Sequence, residues 1–425
     1  MSHIAVESTT TGLSKAAVYQ VITQTVDIKA TKKVLLIPPD GTRAYSGAGQ
    51  ITAQYYSLLT NAGIHVDILP ALGTHAPMTR EQQVSFFGDI PADCFLEHNW
   101  RTGVTTLGEI PVDYVIQASE GHAKEAIPVQ VSDYLVDPSY DHIISIGQVV
   151  PHEVAGMANF TKNIVIGCGG SKFISASHII GAFYGAERIM GRVNTPVRKL
   201  FDYAEDNFLA KLPLTYVLTV TQLKGNNADI IGLYAGSGPD ARSAFIQAAA
   251  LSQQINITHV EKPIQTCVVW LDEHEFHSTW LGNKAVYRTR MAMAKGGQLI
   301  VMAPAVKSFG EDAQNDKLIR KYGYIGREKI ISLINTEECL KQNLSAAAHL
   351  IHGSSDGQFE ITYAAPLLGK DAVEGVGYKY ANLDDAMAMY NPESLAPGVN
   401  TLPTGQEIYF IPNPALGLWS YNATM

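Results

Sequence analysis

The residues of this chain best suited to chemistry fall in three short stretches, each placed where an apolar run gives way to a turn. Asp40-Gly41-Thr42-Arg43 follows Val34-Leu35-Leu36-Ile37, and Gly73-Thr74-His75 follows Val66-Asp67-Ile68-Leu69. His152, Lys162 and His178 come after Ile143-Ile144-Ser145-Ile146. A guanidinium grips a carboxylate through two parallel hydrogen bonds, and two imidazoles can exchange protons near neutral pH. A small hydroxy acid needs both.

Each residue also has a plainer reading. Arg43 could be a surface arginine paired with Asp40. His75 and His152 could be capping or core-edge histidines, and Lys162 a solvent-facing lysine. One histidine cannot hold a transition metal by itself, so His178 on spacing alone is structural.

The elements that must position these residues are those of an open α/β sheet, which binds ligands just beyond the carboxyl ends of its strands. Over the first 260 or so residues, β-rich runs alternate with helical patterns, which predicts parallel βαβ units in a doubly wound, Rossmann-like domain. Strands are expected at 34–37, 66–69, 114–116, 143–146 and 216–221, and helices at 49–62 and 239–254. A second α/β pattern starts at Thr266-Cys267-Val268-Val269-Trp270, continues through a helix at 283–294, and reaches a strand at 298–302 after a Gly-Gly turn. The polar join Glu261-Lys262-Pro263 sets the boundary, giving an N-terminal domain 1–262 and a smaller α/β C-terminal domain 263–404.

With 425 residues the chain exceeds what one core usually serves. Hydrophobic residues make up 46% and charged residues 17%, which argues against disorder. The net charge of −9 is spread thinly with no run of Lys and Arg, so neither nucleic acid nor an anionic membrane is an expected partner. No stretch approaches the roughly 18 apolar residues of a membrane helix, and Met1-Ser2-His3-Ile4 does not begin a secretory signal, so a cytoplasmic location is expected. Cys94, Cys168, Cys267 and Cys339 are scattered without a Cys-x-x-Cys pair, so neither a disulfide framework nor a structural zinc site is indicated; only Cys168 lies near the candidate residues. Gly167–Lys172 lacks the spacing of a phosphate loop, and Gly47-Ala48-Gly49 has Thr52 where a dinucleotide fingerprint needs its third glycine.

Taken in order, the segments resemble the nickel-dependent lactate racemases and their relatives, which racemise or epimerise α-hydroxy acids. Asp40-x-Thr42-Arg43 stands in place of the family's Asp-His-Thr-Arg, followed by Thr74-His75, Pro77 and Thr79-Arg80-Glu81. His152-x-x-Ala155-Gly156 comes next, with Lys162 ten residues after the histidine and His178 sixteen residues after that lysine. Trp280-x-x-x-Lys284 then precedes Lys295-Gly296-Gly297 and Gln298-Leu299-Ile300-Val301. The resemblance covers most of the chain.

It implies that Arg43 holds the substrate carboxylate, with Asp40 and Thr42 beside the cofactor. His75 and His152 would take turns deprotonating the substrate hydroxyl as a hydride leaves the adjacent carbon. Lys162 would be bonded covalently to a nickel-pincer nucleotide, pyridinium-3,5-bisthiocarboxylic acid mononucleotide, which chelates nickel through two sulfurs and a ring carbon. His178 would be the fourth nickel ligand, and Lys284 and Trp280 would face the substrate. The resemblance further implies a site in the interdomain cleft, a C-terminal segment 405–425 that returns to complete the first domain, and cofactor-synthesis enzymes as maturation partners; a homodimer is left open.

Two departures stand out. Ala158-Asn159-Phe160-Thr161 replaces the family's Ser-Gly-Gly-Arg before the lysine, and Trp280-Leu281 replaces a tyrosine-glutamine pair. The expected substrate is therefore an α-hydroxy acid other than lactate. Alternatives are a 2-epimerase of a longer polyhydroxylated acid such as an aldonate, and a non-catalytic binding protein on the same scaffold. His274, His277, His352, Ser354, Ser355 and Asp356 are polar residues available to an altered pocket.

Overall fold

Near-continuous burial makes Lys33–Ile37 and His142–Gln148 central strands, since every residue after the first in each is buried. They pair in parallel, Val34 opposite His142 and Ile37 opposite Ser145. His65–Ile68 adds in parallel to the outer side of Lys33–Ile37, and Leu214–Lys224 adds in parallel to His142–Gln148. Asn227–Ser237 and Ile4–Glu7 extend the sheet antiparallel. Across the sheet the four parallel strands thus run second, first, third, fourth in chain order. The strand order reverses between Lys33–Ile37 and His142–Gln148, and ligands of doubly wound sheets bind at such a reversal.

The computed structural model describes residues 3–224 and 227–421, in two α/β units: 3–177 with 191–224 and 227–256, and 178–190 with 257–421. In the first unit, helix Ala48–Asn61 buries Ile51, Tyr55 and Leu59 at a spacing of four against Val34, Leu36, Ile144 and Ile146. Helix Pro239–Asn256 matches the expected segment closely. The strand expected at 114–116 is instead part of helix Val112–Ala118, in which Val115 and Ala118 share the buried side three residues apart. A run of three β-formers was too short to reveal its period.

The second unit holds another six-stranded sheet, in the order Lys379–Tyr380, Glu360–Ala364, Met293–Met302, Ile264–Trp270, Glu407–Ile411, Gly398–Thr401. All pairs are parallel except the last. Glu407–Ile411 lies beside Ile264–Trp270, with Cys267 opposite Tyr409, and Leu418–Ser420 pairs with Ile257–His259. The C-terminal segment therefore belongs to the second unit and does not complete the first, because Ile408 and Phe410 pack into the core around Val268, Ile300 and Met302. The expected helix at 283–294 is cut to Lys284–Tyr287. From Ala292 to Lys295 burial alternates residue by residue, the period of a strand, and Met293–Met302 passes through Gly296 at φ +75.

The division falls at Asn256, and the excursion 178–190 joins the second unit. A ring of charges accounts for that attachment. Glu187 receives Arg290 Nε at 2.8 Å and Arg327 at 3.3 Å, while Asp356 receives the same two arginines at 3.1 and 3.4 Å. Asp356 is thereby committed to structure, which removes it from the residues available to a pocket.

Candidate active site

The turn after Lys33–Ile37 begins at Asp40, whose Oδ1 accepts the Thr42 backbone N–H at 3.0 Å and the Thr42 hydroxyl at 2.5 Å. Its other oxygen, Oδ2, lies 2.5 Å from His75 Nδ1, on the loop after the neighbouring strand His65–Ile68. Parallel pairing brings the two loops together, Ala71 N–H donating to Pro38 O, while Gly73 N–H donates to Gly167 O on a third segment. Burial alone would raise the Asp40 carboxyl, but His75, the Thr42 hydrogen bonds and the Arg43 charge outweigh it and hold it down at about 2. The carboxylate is thus ionised and accepts the His75 Nδ1 proton, so that in the neutral form of the ring Nε2 carries the lone pair. Arg43 is not engaged by Asp40 in an ion pair, as a surface reading would have it. Among the described residues no carboxylate lies within 4.0 Å of its guanidinium.

Asp40 also makes a stability prediction. A carboxyl held below its unfolded value contributes stability above about pH 4, and that contribution is lost as pH falls through about 2. With a shift from 3.8 to about 2, the contribution at neutral pH is roughly 2 kcal/mol. Asp40→Asn is expected to lose about that much in denaturant unfolding at pH 7, and the gap to the wild type should shrink at acid pH.

On the other side of the strand-order reversal, the chain after His142–Gln148 forms a small antiparallel turn, Pro151–His152 against Gly156–Met157. His152 is buried, and its Nδ1 accepts the N–H groups of Val154 at 3.1 Å and Ala155 at 3.3 Å. Glu153 Oε2 lies 3.5 Å from the same nitrogen. Lys162 follows at the head of a wide π turn, Asn163–Gly167, a helical irregularity common at functional sites. Asn163 stitches the two central strands at their carboxyl ends, donating to Ile37 O at 3.1 Å and to Ser145 Oγ at 3.0 Å. Burial, reinforced by the positive charge of Arg43, pushes the Lys162 ammonium down to about 8, against the opposing pull of Glu153 and Asp40.

The segment before Lys162 keeps an unusual backbone. Asn159 and Phe160 have φ of +65 and +58, the left-handed region, at the two positions where the resembled family has glycine. Such a conformation costs roughly 1–2 kcal/mol in a residue with a side chain. Phe160 is held in it by complete burial, its ring 4.6 Å from Tyr216 and 5.1 Å from Phe245. Beneath it, Thr161 and Tyr216 both donate to Glu205 Oε2, at 2.8 and 2.6 Å, and buried Arg198 donates to Met157 O at 2.6 Å. Asn163, Arg198 and Glu205 went unmarked in the sequence, where no spacing connects them to the histidines, and Glu153 is legible there only as the residue after His152.

The first unit thus gathers Asp40, Thr42, Arg43, His75, His152 and Lys162. His178, Trp280 and Lys284 belong to the second. His178 lies on helix Ser171–Tyr184 and is half-buried. Lys284 is buried and pairs with Glu275 at 2.9 Å, and Trp280 stacks on His349 at 4.3 Å. His274 and His277 are exposed, and Ser354 Oγ accepts the Asp356 N–H at 3.0 Å. Cys168 is fully buried, and burial pushes its thiol well up, so it stays a protonated core residue. Among the described residues, no three His, Cys, Asp or Glu side chains converge as a metal site, and no helix is long and apolar enough to cross a membrane. A cavity of about 530 Å³ in the second unit, near His259, Lys262, Thr266 and Glu407, opens at the amino ends of its strands and holds none of the candidate residues.

Comparison with known proteins bears on this arrangement. No curated protein matches the sequence. The fold matches a crystal structure of a Thermotoga maritima protein with a TM-score of 0.84 and 23% identity, covering 97% of this chain and 99% of that one. It also matches the lactate racemase apoprotein from Thermoanaerobacterium thermosaccharolyticum, with a TM-score of 0.70 and 16% identity over 96% and 94% of the two chains. Residues 20–189, the stretch that carries the two histidines and the lysine, match the family model of the lactate racemase N-terminal domain.

Proposed function

We propose that this protein inverts C2 of an α-hydroxy acid by moving a proton and a hydride, using a nickel-pincer nucleotide joined to Lys162. The observation that carries the reading is one cluster at the strand-order reversal. A carboxylate-backed imidazole, Asp40–His75, sits in the same turn system as a guanidinium without an ion-pair partner among the described residues, and Lys162 is close enough to feel both Arg43 and Asp40. Arg43 would fix the plane of the substrate carboxylate. His75 Nε2 would take the hydroxyl proton of one stereoisomer, and His152 that of the other.

The residues suit the proposed cofactor. An amine depressed to about 8 is partly neutral near physiological pH, as bond formation to an acyl group requires. A lone histidine, His178, suits a metal whose other donors come from an organic chelator. Bound there, the nucleotide would supply the hydride acceptor and donor, while the chain supplies orientation and proton transfer. Lys284 and Trp280 are assigned to the substrate. Trp280 and Leu281 bring neither a phenol nor an amide to that position, which favours an acid other than lactate.

The test is hydrogen exchange at C2. Protein matured with the cofactor-making enzymes and incubated with C2-deuterated lactate, gluconate and mannonate should invert one of these acids without net oxidation or reduction. Unchanged stereochemistry and label across 2-hydroxy and aldonic acids, in protein shown to carry nickel, would reject the reading.

A further inference from the structure

Each candidate base has a carboxylate neighbour, yet the two are presented differently. His75 gives its Nδ1 proton to Asp40 and keeps Nε2 as an acceptor. At His152 the arrangement is reversed. Two backbone N–H groups, from Val154 and Ala155, point at Nδ1, and since both can only donate, Nδ1 must hold the lone pair. The neutral ring then carries its proton on Nε2, where it cannot accept another. Glu153 Oε2, 3.5 Å from Nδ1, is placed to receive a proton on that nitrogen if the two N–H groups yield. Glu153 also interacts electrostatically with the Lys162 ammonium, which Arg43, Asp40 and Arg198 influence as well.

We propose that Glu153 is a positioning carboxylate shared between Lys162 and His152, and that joining the Lys162 ammonium to a thiocarboxylate of the cofactor as an uncharged thioamide, with loss of one water, releases it to His152, whose proton then moves from Nε2 to Nδ1. The ring loses one proton to solvent at Nε2 and gains one at Nδ1, so its charge does not change. Covalent loading at Lys162 thereby arms the second base, and the apoprotein holds only one base ready. The inference rests on the covalent role proposed for Lys162.

The full chain labelled with ¹⁵N in its histidine rings tests this without substrate or cofactor, by long-range ¹H–¹⁵N correlation at a pH where the rings are neutral. In the wild type His75 should be protonated on Nδ1 and His152 on Nε2. Lys162→Gln, which removes the charge as a thioamide link would, should shift the His152 tautomer ratio toward Nδ1–H by about tenfold, the effect of a change of about 1.4 kcal/mol. Lys162→Met serves as a second uncharged variant should the first fail to fold. Adding Glu153→Gln should return His152 to Nε2–H, while His75 stays unchanged throughout. A wild-type His152 already protonated on Nδ1, no shift when the charge is removed, or a shift that survives Glu153→Gln would each overturn the proposal. Intact mass of the matured protein tests the Lys162 link separately, so the two readings fail by different measurements.

Discussion

Replacing Lys162 with methionine is expected to yield a protein that is both more stable and inactive. A lysine whose pKa falls from 10.5 to about 8 on folding binds fewer protons in the native state, so its charge opposes folding at neutral pH. For the wild type, this contribution makes stability rise with pH between about 8 and 10.5. Lys162 is partly exposed, and with that screening the gain from methionine is about 1–2 kcal/mol, or a few degrees in Tm. Activity should vanish with the attachment point. Matured wild-type protein should be heavier than its apoprotein by one modified mononucleotide, an increment absent from Lys162→Met. His178→Ala should keep the added mass and lose nickel in metal analysis. Fully active wild-type enzyme of unchanged mass would disprove the attachment.

His75→Ala and His152→Ala are expected to abolish inversion in both directions, because every turnover uses both bases. A proton-transfer group contributes about 10²–10⁴-fold, so each loss should be at least that large. The half-reactions separate the two. Each variant should still oxidise and restore the one stereoisomer whose hydroxyl faces the remaining histidine, seen as a transient change in absorbance on mixing. The two variants should therefore respond to opposite stereoisomers. A shared preference, or near-normal turnover in either, would refute the two-base assignment.

What was legible in the sequence was local. The runs around Leu35, Ile144 and Val217 reveal strands because central parallel strands are buried on both faces and must be largely apolar, and the edge run around Val66 is buried nearly as fully. The loops after them were therefore identifiable as the ligand edge. Pairing over distance was less so. Nothing between Asp40 and His75 announces that they share a hydrogen bond, since their meeting depends on which strands are neighbours. The same holds for Ile408–Ile411, an evident strand whose partner, Ile264–Trp270, is set by packing far along the chain. Asp40 was expected beside a cofactor; the geometry adds that its carboxylate holds His75 at Nδ1. Glu153 was a neighbour in sequence only, and its proximity to both Nδ1 and Lys162 required the turn to be seen.

The left-handed pair Asn159–Phe160 has a consequence for how ligands are received. A Gly-Gly segment there would sample many shapes in the free protein and pay ordering entropy on binding. Here the aromatic ring is nailed into the core between Tyr216 and Phe245, so the turn is shaped when the domain folds. The cost appears once, as strain drawn from stability, and does not recur at each encounter. The chain has in effect exchanged a pliable entrance for a rigid jig that presents its lysine at a fixed place before anything arrives.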